Sequence, residues 1–491
     1  MSQNSNISKP FYITTTLPYV NSDPHIGFAM EIIRADVIAR YKKELGYDVF
    51  FNTGTDEHGA KIYENAVKAG VHPQEFVDKS AQKFKDLLSL LNISDGVHFI
   101  RTTDKEHILS AQEMWKKCFE SGDIYKKEYK TKYCVGCELE KTDSELVDGK
   151  CPIHPNREIE IREEENYFFR FSKYQNQLID LYNANPEFVI PDFRFNEIKS
   201  FVERGLEDFS VSRLKTKMPW GVPVPNDDTQ VMYVWFDALT NYISTLGWSE
   251  GENYKKYWKQ EGVEKREVVQ YCGKDNLRQQ SAMWQAMLMS AKLPTSTNII
   301  INGFITGPDG IKMSKSIGNV VSPFEVIEMF KDVTDYPEDV LRFVLLHDIS
   351  SFEDSGISME SIKQSYQSNL ANGIGNLTNR ILKMSQNAQV TLQKTENRKQ
   401  KTEIQNYDLN NSFKEIMNDM HTLDEYIATN EPFKVVKVDL EKGNEMIIHC
   451  LVELEKIAKN ISIFLPRTSA KIIECIRENK MPEKALFNRL N

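Results

Sequence analysis

The sequence predicts an α/β protein built around a parallel sheet, carrying a small inserted knuckle and ending in an all-helical third. Three observations predict it. Short apolar runs and helical patterns alternate near the start, around 11–53, and again around 267–301. Between those regions lie two closely spaced pairs of soft-metal ligands, 134 with 137 and 151 with 154. After Asp354 strand patterns cease. At 491 residues the chain exceeds one domain, and 40% hydrophobic residues suffice for several cores.

The first apolar run, Phe11 to Thr16, has strand composition. The stretch LPYVNSDPHIG, Leu17 to Gly27, follows it and leads into a helix that carries Ala29, Ile32, Ile33, Val37, Ile38 and Tyr41 near the 3.6 period. Gly46 ends that helix, and Asp48 to Thr53 reads as a second strand, so 11–53 forms a βαβ unit. A strand, a tight loop and a helix N-terminus present backbone N–H groups to a phosphate. His25 beside Gly27 suits a nucleotide there; it equally suits a plain capping turn, and this stretch alone leaves both open. The second strand runs into GTDEHG, residues 54–59, which puts Asp56, Glu57 and His58 at the edge where open α/β sheets bind ligands. Asp56 there can cap the next helix or face an ammonium group. From 60 to Gly122 the pattern reads as helical throughout.

Cys134 and Cys137 are separated by two residues, as are Cys151 and His154, with thirteen residues between the pairs. Three thiolates and an imidazole at this spacing match a tetrahedral zinc site, one per chain. With no fifth ligand in view, the site reads as structural. Gly136 fits a tight turn between the first two ligands, and the flanks from 126 to 167 read as strands and loops.

The second half of the sheet begins with VMYVWFDALTNYIS, 231–244. Trp235, Ala238 and Tyr242 share one side of a strand-to-helix entry, as core or as a pocket wall. Strands at 267–271 and 298–301 flank a helix at 277–292. The Gly-rich segment 303–319 then delivers Lys312 and Lys315 on one loop, which suits polyphosphate charge.

HIG at 25–27 and KMSKS at 312–316 together resemble the paired signature of class I aminoacyl-tRNA synthetases. TTTLPYVN, GTDEHG, the knuckle, NYFFR, PWG, YVWFDA and GPDGIKMSKSIGN narrow the resemblance to the methionyl-tRNA synthetase family, over 11–379. It implies a Rossmann-like nucleotide-binding catalytic domain split as 1–117 and 231–303. A connective insertion with the zinc knuckle would occupy 118–230, the KMSKS loop and a stem-contact region 304–357, and an α-helical anticodon-binding domain 358–491. It implies an ATP-dependent, AMP-forming ligase acting on L-methionine and tRNA(Met), with Mg accompanying ATP. ATP would meet His25, Gly27, Lys312, Met313, Ser314, Lys315 and Ser316, of which His25, Gly27, Lys312 and Lys315 would be catalytic. Methionine would meet Leu17, Tyr19, Asp56, Trp235, Ala238, Tyr242 and Gln280. Two positions depart from the family pattern: Phe28 stands where a second His is usual, and Gln280 where a His commonly faces the methionine.

In the final third, Asn372, Asn376 and Arg380 recur every four residues and share a helix face. With Phe433 after Pro432, this is either a solvated stripe or a reader of unpaired bases; the resemblance implies the latter, with a CAU anticodon. A polar stretch at 394–406 reads as a loop between helices. The net charge of −10 excludes a uniformly basic coat while allowing local basic faces. No apolar run approaches the roughly 20 residues of a membrane span, and the polar first ten residues are no secretory signal. Seven cysteines in this length do not form a disulfide framework; Cys118, Cys272, Cys450 and Cys475 read as core residues. A cytoplasmic protein is expected. With no appended oligonucleotide-binding barrel visible after the bundle, so is a monomer.

Overall fold

The structure is a computed structural model that describes residues 8–137, 139–141, 145–263, 265–308, 310–311, 313, 321–392 and 403–490. The expected βαβ unit is present as β1 (Pro10–Thr15), α1 (Ile26–Glu44) and β2 (Asp48–Thr55), with β1 and β2 parallel and Tyr12 opposite Phe50. β3 (His98–Arg101) pairs parallel to the outer side of β2. On the inner side β1 pairs with the strand Val268–Gly273, which pairs with Asn298–Asn302 and that with Val189–Ile190, all parallel. Chain order therefore runs outward through β2 and β3 on one side and from Val268–Gly273 to Asn298–Asn302 on the other, where the earlier Val189–Ile190 adds the edge strand. The junction of β1 and Val268–Gly273 is the topological switch point, where a crevice opens outside the carboxyl ends of the strands. Side chains alternate across the sheet: Phe11, Ile13 and Phe51 join the core around α1, while Tyr12 and Phe50 join the opposite one.

Two short strands were not legible. β3 lies inside the stretch whose pattern reads as all helix. It has four residues, of which Ile100 alone is buried, too few for alternation to register. The pair Ile305–Thr306 with Ser355–Gly356 places a strand just beyond Asp354, where strand patterns end.

Within the expected insertion lies a long antiparallel hairpin, Ile124–Cys134 against Glu160–Phe169, paired from Ile124 opposite Phe169 to Tyr133 opposite Glu160. The knuckle closes its far end. The final third is helical as expected, with Met359–Ser365 continuing through Tyr366–Gly375 into Asn376–Ala388, then Leu409–Asn430, Leu440–Asn460 and Pro466–Glu478. Of the expected loop at 394–406, residues 394–402 lie outside the described residues. Cys118, Cys272, Cys450 and Cys475 are buried, as expected. Among the described residues no helix is long and apolar enough to cross a membrane.

α1 is buried on nearly all sides from Ile26 to Ala39, including its charged residues. The Arg34 guanidinium donates to Asn302 Oδ1 at 2.8 Å and to the carbonyls of Ser350 and Ser351 at 2.8 and 2.9 Å. The Asp36 carboxylate pairs with Arg342 at 2.9 Å and Arg40 at 2.8 Å, and accepts the Ser94 N–H at 2.8 Å. Arg342 in turn donates to the carbonyls of Phe464 and Ile463 in the helical third. Burial alone would raise the Asp36 pKa, but Arg342 and Arg40 outweigh it and hold the carboxyl below its ordinary 3.8. Its stabilising contribution is therefore fully present above pH 3.8 and is lost as pH falls through the lowered value. Arg342→Met would leave a buried carboxylate with Arg40 alone. It is expected to cost about 3 kcal/mol in urea unfolding at pH 7, with the difference from the parent shrinking as pH falls below 3.8.

Candidate active site

The crevice is built by three loops at the carboxyl edge. Leu17–Gly27 continues β1 beyond the sheet and still pairs there: Asp56 N–H donates to Pro18 O at 2.9 Å and Val20 N–H to Asp56 O at 3.1 Å. Tyr19 and Asp56 consequently stand side by side as bridge partners, with Leu17 and Asp56 buried. The cap of the helix after GTDEHG is Gly59, so Asp56 is not spent on capping.

His25 is the N-cap of α1. Its Nδ1 accepts the N–H groups of Gly27 at 3.1 Å and Phe28 at 3.4 Å, while the ring is exposed. An Nδ1 that accepts carries no proton, so a neutral ring carries it on Nε2 and presents a donor beside the positive end of the helix dipole. The capping reading and the anion-binding reading thus describe one geometry. A Cβ on Gly27 would stand 3.0 Å from His25 Cε1 and Nδ1, so a side chain there would displace the ring. Phe28 points elsewhere: it is buried edge-on against Phe84 with ring centroids 5.1 Å apart.

The opposite wall comes from the helices Val234–Ala238 and Asn241–Ser244. Ala238 and Tyr242 are buried and Trp235 half-buried. Tyr12 donates to the Tyr242 carbonyl at 2.8 Å and Asn52 to Asn241 Oδ1 at 3.2 Å, fastening this wall over β1 and β2. Gln280 donates its amide N–H to the Tyr242 hydroxyl oxygen, and Gln270 donates to Gln280 Oε1 at 2.6 Å. Burial pushes the Tyr242 phenol well above its usual range, so this chain of polar groups is neutral throughout.

Glu57 and His58, expected at this edge, are joined there by Arg101, His107, Asp237 and Glu31, which the sequence did not single out. Glu57 is fully buried in a closed ion pair with Arg101 at 2.7 and 2.9 Å, reinforced by Thr55 and Thr103. Trp220, from the PWG segment, donates to the Glu57 carbonyl at 2.7 Å. Asp237 is buried between two imidazoles, His58 Nδ1 at 2.7 Å and His107 Nε2 at 2.8 Å, and His107 Nδ1 lies 2.8 Å from Ser244 Oγ. Burial opposes ionisation of Asp237, but the His58 charge and the bonds from both rings hold its carboxyl down at about 2. Glu31 accepts the Thr16 N–H at 2.7 Å under the crevice floor. Their signal was charge inside apolar strings, which sequence pattern alone does not distinguish from a solvated face.

At the second loop, Lys312, Ser314, Lys315 and Ser316 lie outside the described residues; Met313 is half-buried against the core. Before it, Phe304 N–H donates to Asp354 at 2.9 Å, and Lys274, from the GKDN turn, pairs with the same carboxylate at 2.6 Å.

The four knuckle residues converge. Their ligand atoms lie within 4.8 Å of one another, with Cys137 Sγ 3.2 Å from His154 Nδ1 and 3.4 Å from Cys151 Sγ. Such spacing fits four donors about one tetrahedral ion with bonds of about 2.0–2.3 Å. Gly136 lies in the expected turn, and a Cβ there would lie 2.5 Å from the His154 ring, so glycine also lets the imidazole enter. In the helical third Asn372 and Asn376 are exposed, Arg380 is half-buried and paired with Asp424, and Phe433 is 40% exposed.

This arrangement has known counterparts. A family model described as tRNA synthetases class I (M) matches residues 11–158 and 145–382. The chain therefore belongs to the class I aminoacyl-tRNA synthetases, in the family of the methionine–tRNA ligases. It is 45% identical to the methionine–tRNA ligase of Thermotoga maritima over 380 residues, 76% of this chain and 57% of that one. It is 35% identical to that of Rickettsia bellii over 506 residues, 99% of this chain and 96% of the relative. A solved structure of Mycobacterium tuberculosis methionyl-tRNA synthetase in complex with methionyl-adenylate superposes with a TM-score of 0.88 at 31% identity, covering 98% of this chain and 100% of that one.

Burial pushes the Glu31 carboxyl up to about 8, against the Thr16 N–H bond that favours the anion, with the Asp275 carboxylate adding to the rise. A raised carboxyl stabilises fully below its ordinary 4.5 and loses that contribution as pH rises through about 8. Glu31→Gln keeps the acceptor for Thr16 without the charge. Its melting temperature relative to the parent is expected to climb steadily from pH 4.5 to 8; a difference flat with pH would contradict this.

Proposed function

We propose that this protein is a methionyl-tRNA synthetase: it joins L-methionine to ATP, releases pyrophosphate, and passes the methionyl group to the 3′ end of tRNA(Met). The observation that carries this reading is the pairing of Tyr19 with Asp56 beside the His25 cap. It sets an ammonium acceptor at the end of β2 beside the loop that carries an aromatic wall and a phosphate-binding helix end. The relative described in complex with methionyl-adenylate has the same overall fold.

In this reading Asp56 holds the substrate ammonium. Leu17, Tyr19, Trp235, Ala238 and Tyr242 enclose the flexible, polarizable thioether, and Gln280, bonded to the Tyr242 hydroxyl, supplies a neutral polar end. His25 donates from Nε2 to the phosphates and Gly27 lies against the adenine. Lys312 and Lys315, with Met313, Ser314 and Ser316, bring positive charge to the departing pyrophosphate. The methionine carboxylate oxygen attacks the α-phosphorus, the bond to the β-phosphate bridging oxygen breaks, and the electron pair leaves with pyrophosphate. A terminal tRNA hydroxyl then attacks the activated carbonyl and AMP departs. The nucleophile in both steps is substrate oxygen, so catalysis is positioning and charge stabilisation. Magnesium neutralises phosphate charge when it accompanies ATP. Zinc held by Cys134, Cys137, Cys151 and His154 would cross-link the hairpin tip.

The division into catalytic halves 1–117 and 231–303, insertion 118–230, loop and stem-contact region 304–357 and anticodon-binding domain 358–491 belongs to this proposal. So do reading of the CAU anticodon by Asn372, Asn376, Arg380 and Phe433, and a monomeric state. Exposure of Asn372 and Asn376 on one helix face and of Phe433 supports the anticodon assignment, since bases need accessible amides and rings.

The purified protein is expected to exchange pyrophosphate into ATP in the presence of methionine, and Lys315→Ala to slow that exchange by about 100- to 1,000-fold with the fold intact. Exchange with no amino acid at all would overturn the assignment. Elemental analysis is expected to find one zinc per chain, and Cys137→Ser to lose it together with protease resistance of 124–169; a zinc-free protein with an ordered hairpin would refute the structural metal.

A further inference from the structure

We propose that the buried network of Asp237, His58, His107 and Ser244 is the positioning device that sets the width of the methionine pocket. This inference rests on the proposed function. Asp237 is fully buried and uses one carboxylate oxygen for each imidazole, Oδ2 toward His58 at 2.7 Å and Oδ1 toward His107 at 2.8 Å. His107 is fully buried and reaches on to Ser244 Oγ at 2.8 Å. The four residues come from four segments. His58 follows β2, His107 lies in the helix Lys105–Glu120, Asp237 in Val234–Ala238, and Ser244 closes Asn241–Ser244. Three of them flank pocket residues in sequence. His58 is two positions from Asp56, Ser244 two from Tyr242, and Asp237 lies between Trp235 and Ala238. One carboxylate therefore ties the ammonium-holding loop to both helices of the thioether wall, from the side away from substrate.

The chemistry of the clamp makes its geometry rigid. A carboxylate accepting from two ring nitrogens fixes both rings in direction as well as distance, and charge-assisted bonds of this kind are shorter and stronger than neutral ones. His58 is further held by the Trp220 ring, whose centroid lies 5.6 Å away. A wall fixed in this way can discriminate by size; a wall free to shift cannot, because a methylene is worth only about 1–3 kcal/mol in an apolar pocket. The α1 N-terminus and the 303–319 segment, to which the proposed function assigns ATP, contribute none of the four residues. The network should accordingly act on methionine and leave ATP alone.

The test is the exchange assay on Asp237→Asn and Ser244→Ala. Asn can accept from only one imidazole and turns an N–H toward the other; Ala removes the outermost bond alone. Asp237→Asn is expected to raise the KM for methionine about tenfold or more and Ser244→Ala about threefold. The KM for ATP should stay within about twofold, and preference for methionine over ethionine, which is longer by one methylene, should fall in both. His107→Gln, which keeps one N–H toward Asp237, should recover most of what His107→Ala loses. Unchanged methionine KM in a folded Ser244→Ala, or equal rises for ATP and methionine, would reduce the network to general stability and overturn the proposal. If Asp237→Asn does not fold, Ser244→Ala decides by the same criterion. Absence of methionine-dependent exchange in the parent would instead remove the functional reading, and this inference with it.

Discussion

The molecule depends on one buried helix. α1 carries Glu31, Arg34 and Asp36 through a core in which an unpaired charge would cost several kcal/mol. Each is therefore bonded: Glu31 to the start of the crevice loop, Arg34 to Asn302 in the sheet and to carbonyls at 350–351, Asp36 to Arg342 and Arg40. These bonds fix the helix along its length, and its N-terminus is the anion-facing end of the crevice. The same bonds hold the helical third, because Arg342 is shared between Asp36 and the carbonyls at 463–464. Sheet and helical third thus share one continuous apolar core, crossed at fixed points by charged groups with fixed partners.

This explains which parts were legible in the sequence. The βαβ start, the strand runs at 267–271 and 298–301 and the knuckle follow from local pattern and spacing, and the structure has them. α1 reads as an ordinary amphipathic helix because Glu31, Arg34 and Asp36 look like a polar face; their partners lie up to 317 positions away and leave no local trace. The same holds for the Asp237 network: His58 stands out at the ligand edge, but its partner lies 179 positions away, and His107 gives no signal. Long-range polar pairing is invisible to periodicity. It is also what places the pocket walls.

The two departures from the family pattern acquire physical meaning. Phe28 is taken up by the core against Phe84, so the position contributes packing to α1 and no polar group to the crevice. Gln280 bonds the Tyr242 hydroxyl and is itself bonded by Gln270, so the amide stands in for an imidazole as a hydrogen-bonding link while removing a titratable group. A thioether offers weak acceptor character and no charge, and a neutral chain is a compatible end for its pocket.

The same separation of charge answers how a chain of net charge −10 can hold polyanions. A diffuse positive field is unavailable, so in the proposed function the anion site is assembled from oriented groups: the amides and dipole of α1, the His25 cap, and the lysines of the 303–319 segment. None of these needs a static buried positive charge. Buried guanidinium charge is spent instead on α1 itself, at Arg34 and Arg342, where its partners are carbonyls and Asp36. Fixed charge holds the scaffold, and the proposed function leaves neutral donors, dipoles and loop-borne lysines to meet the substrate.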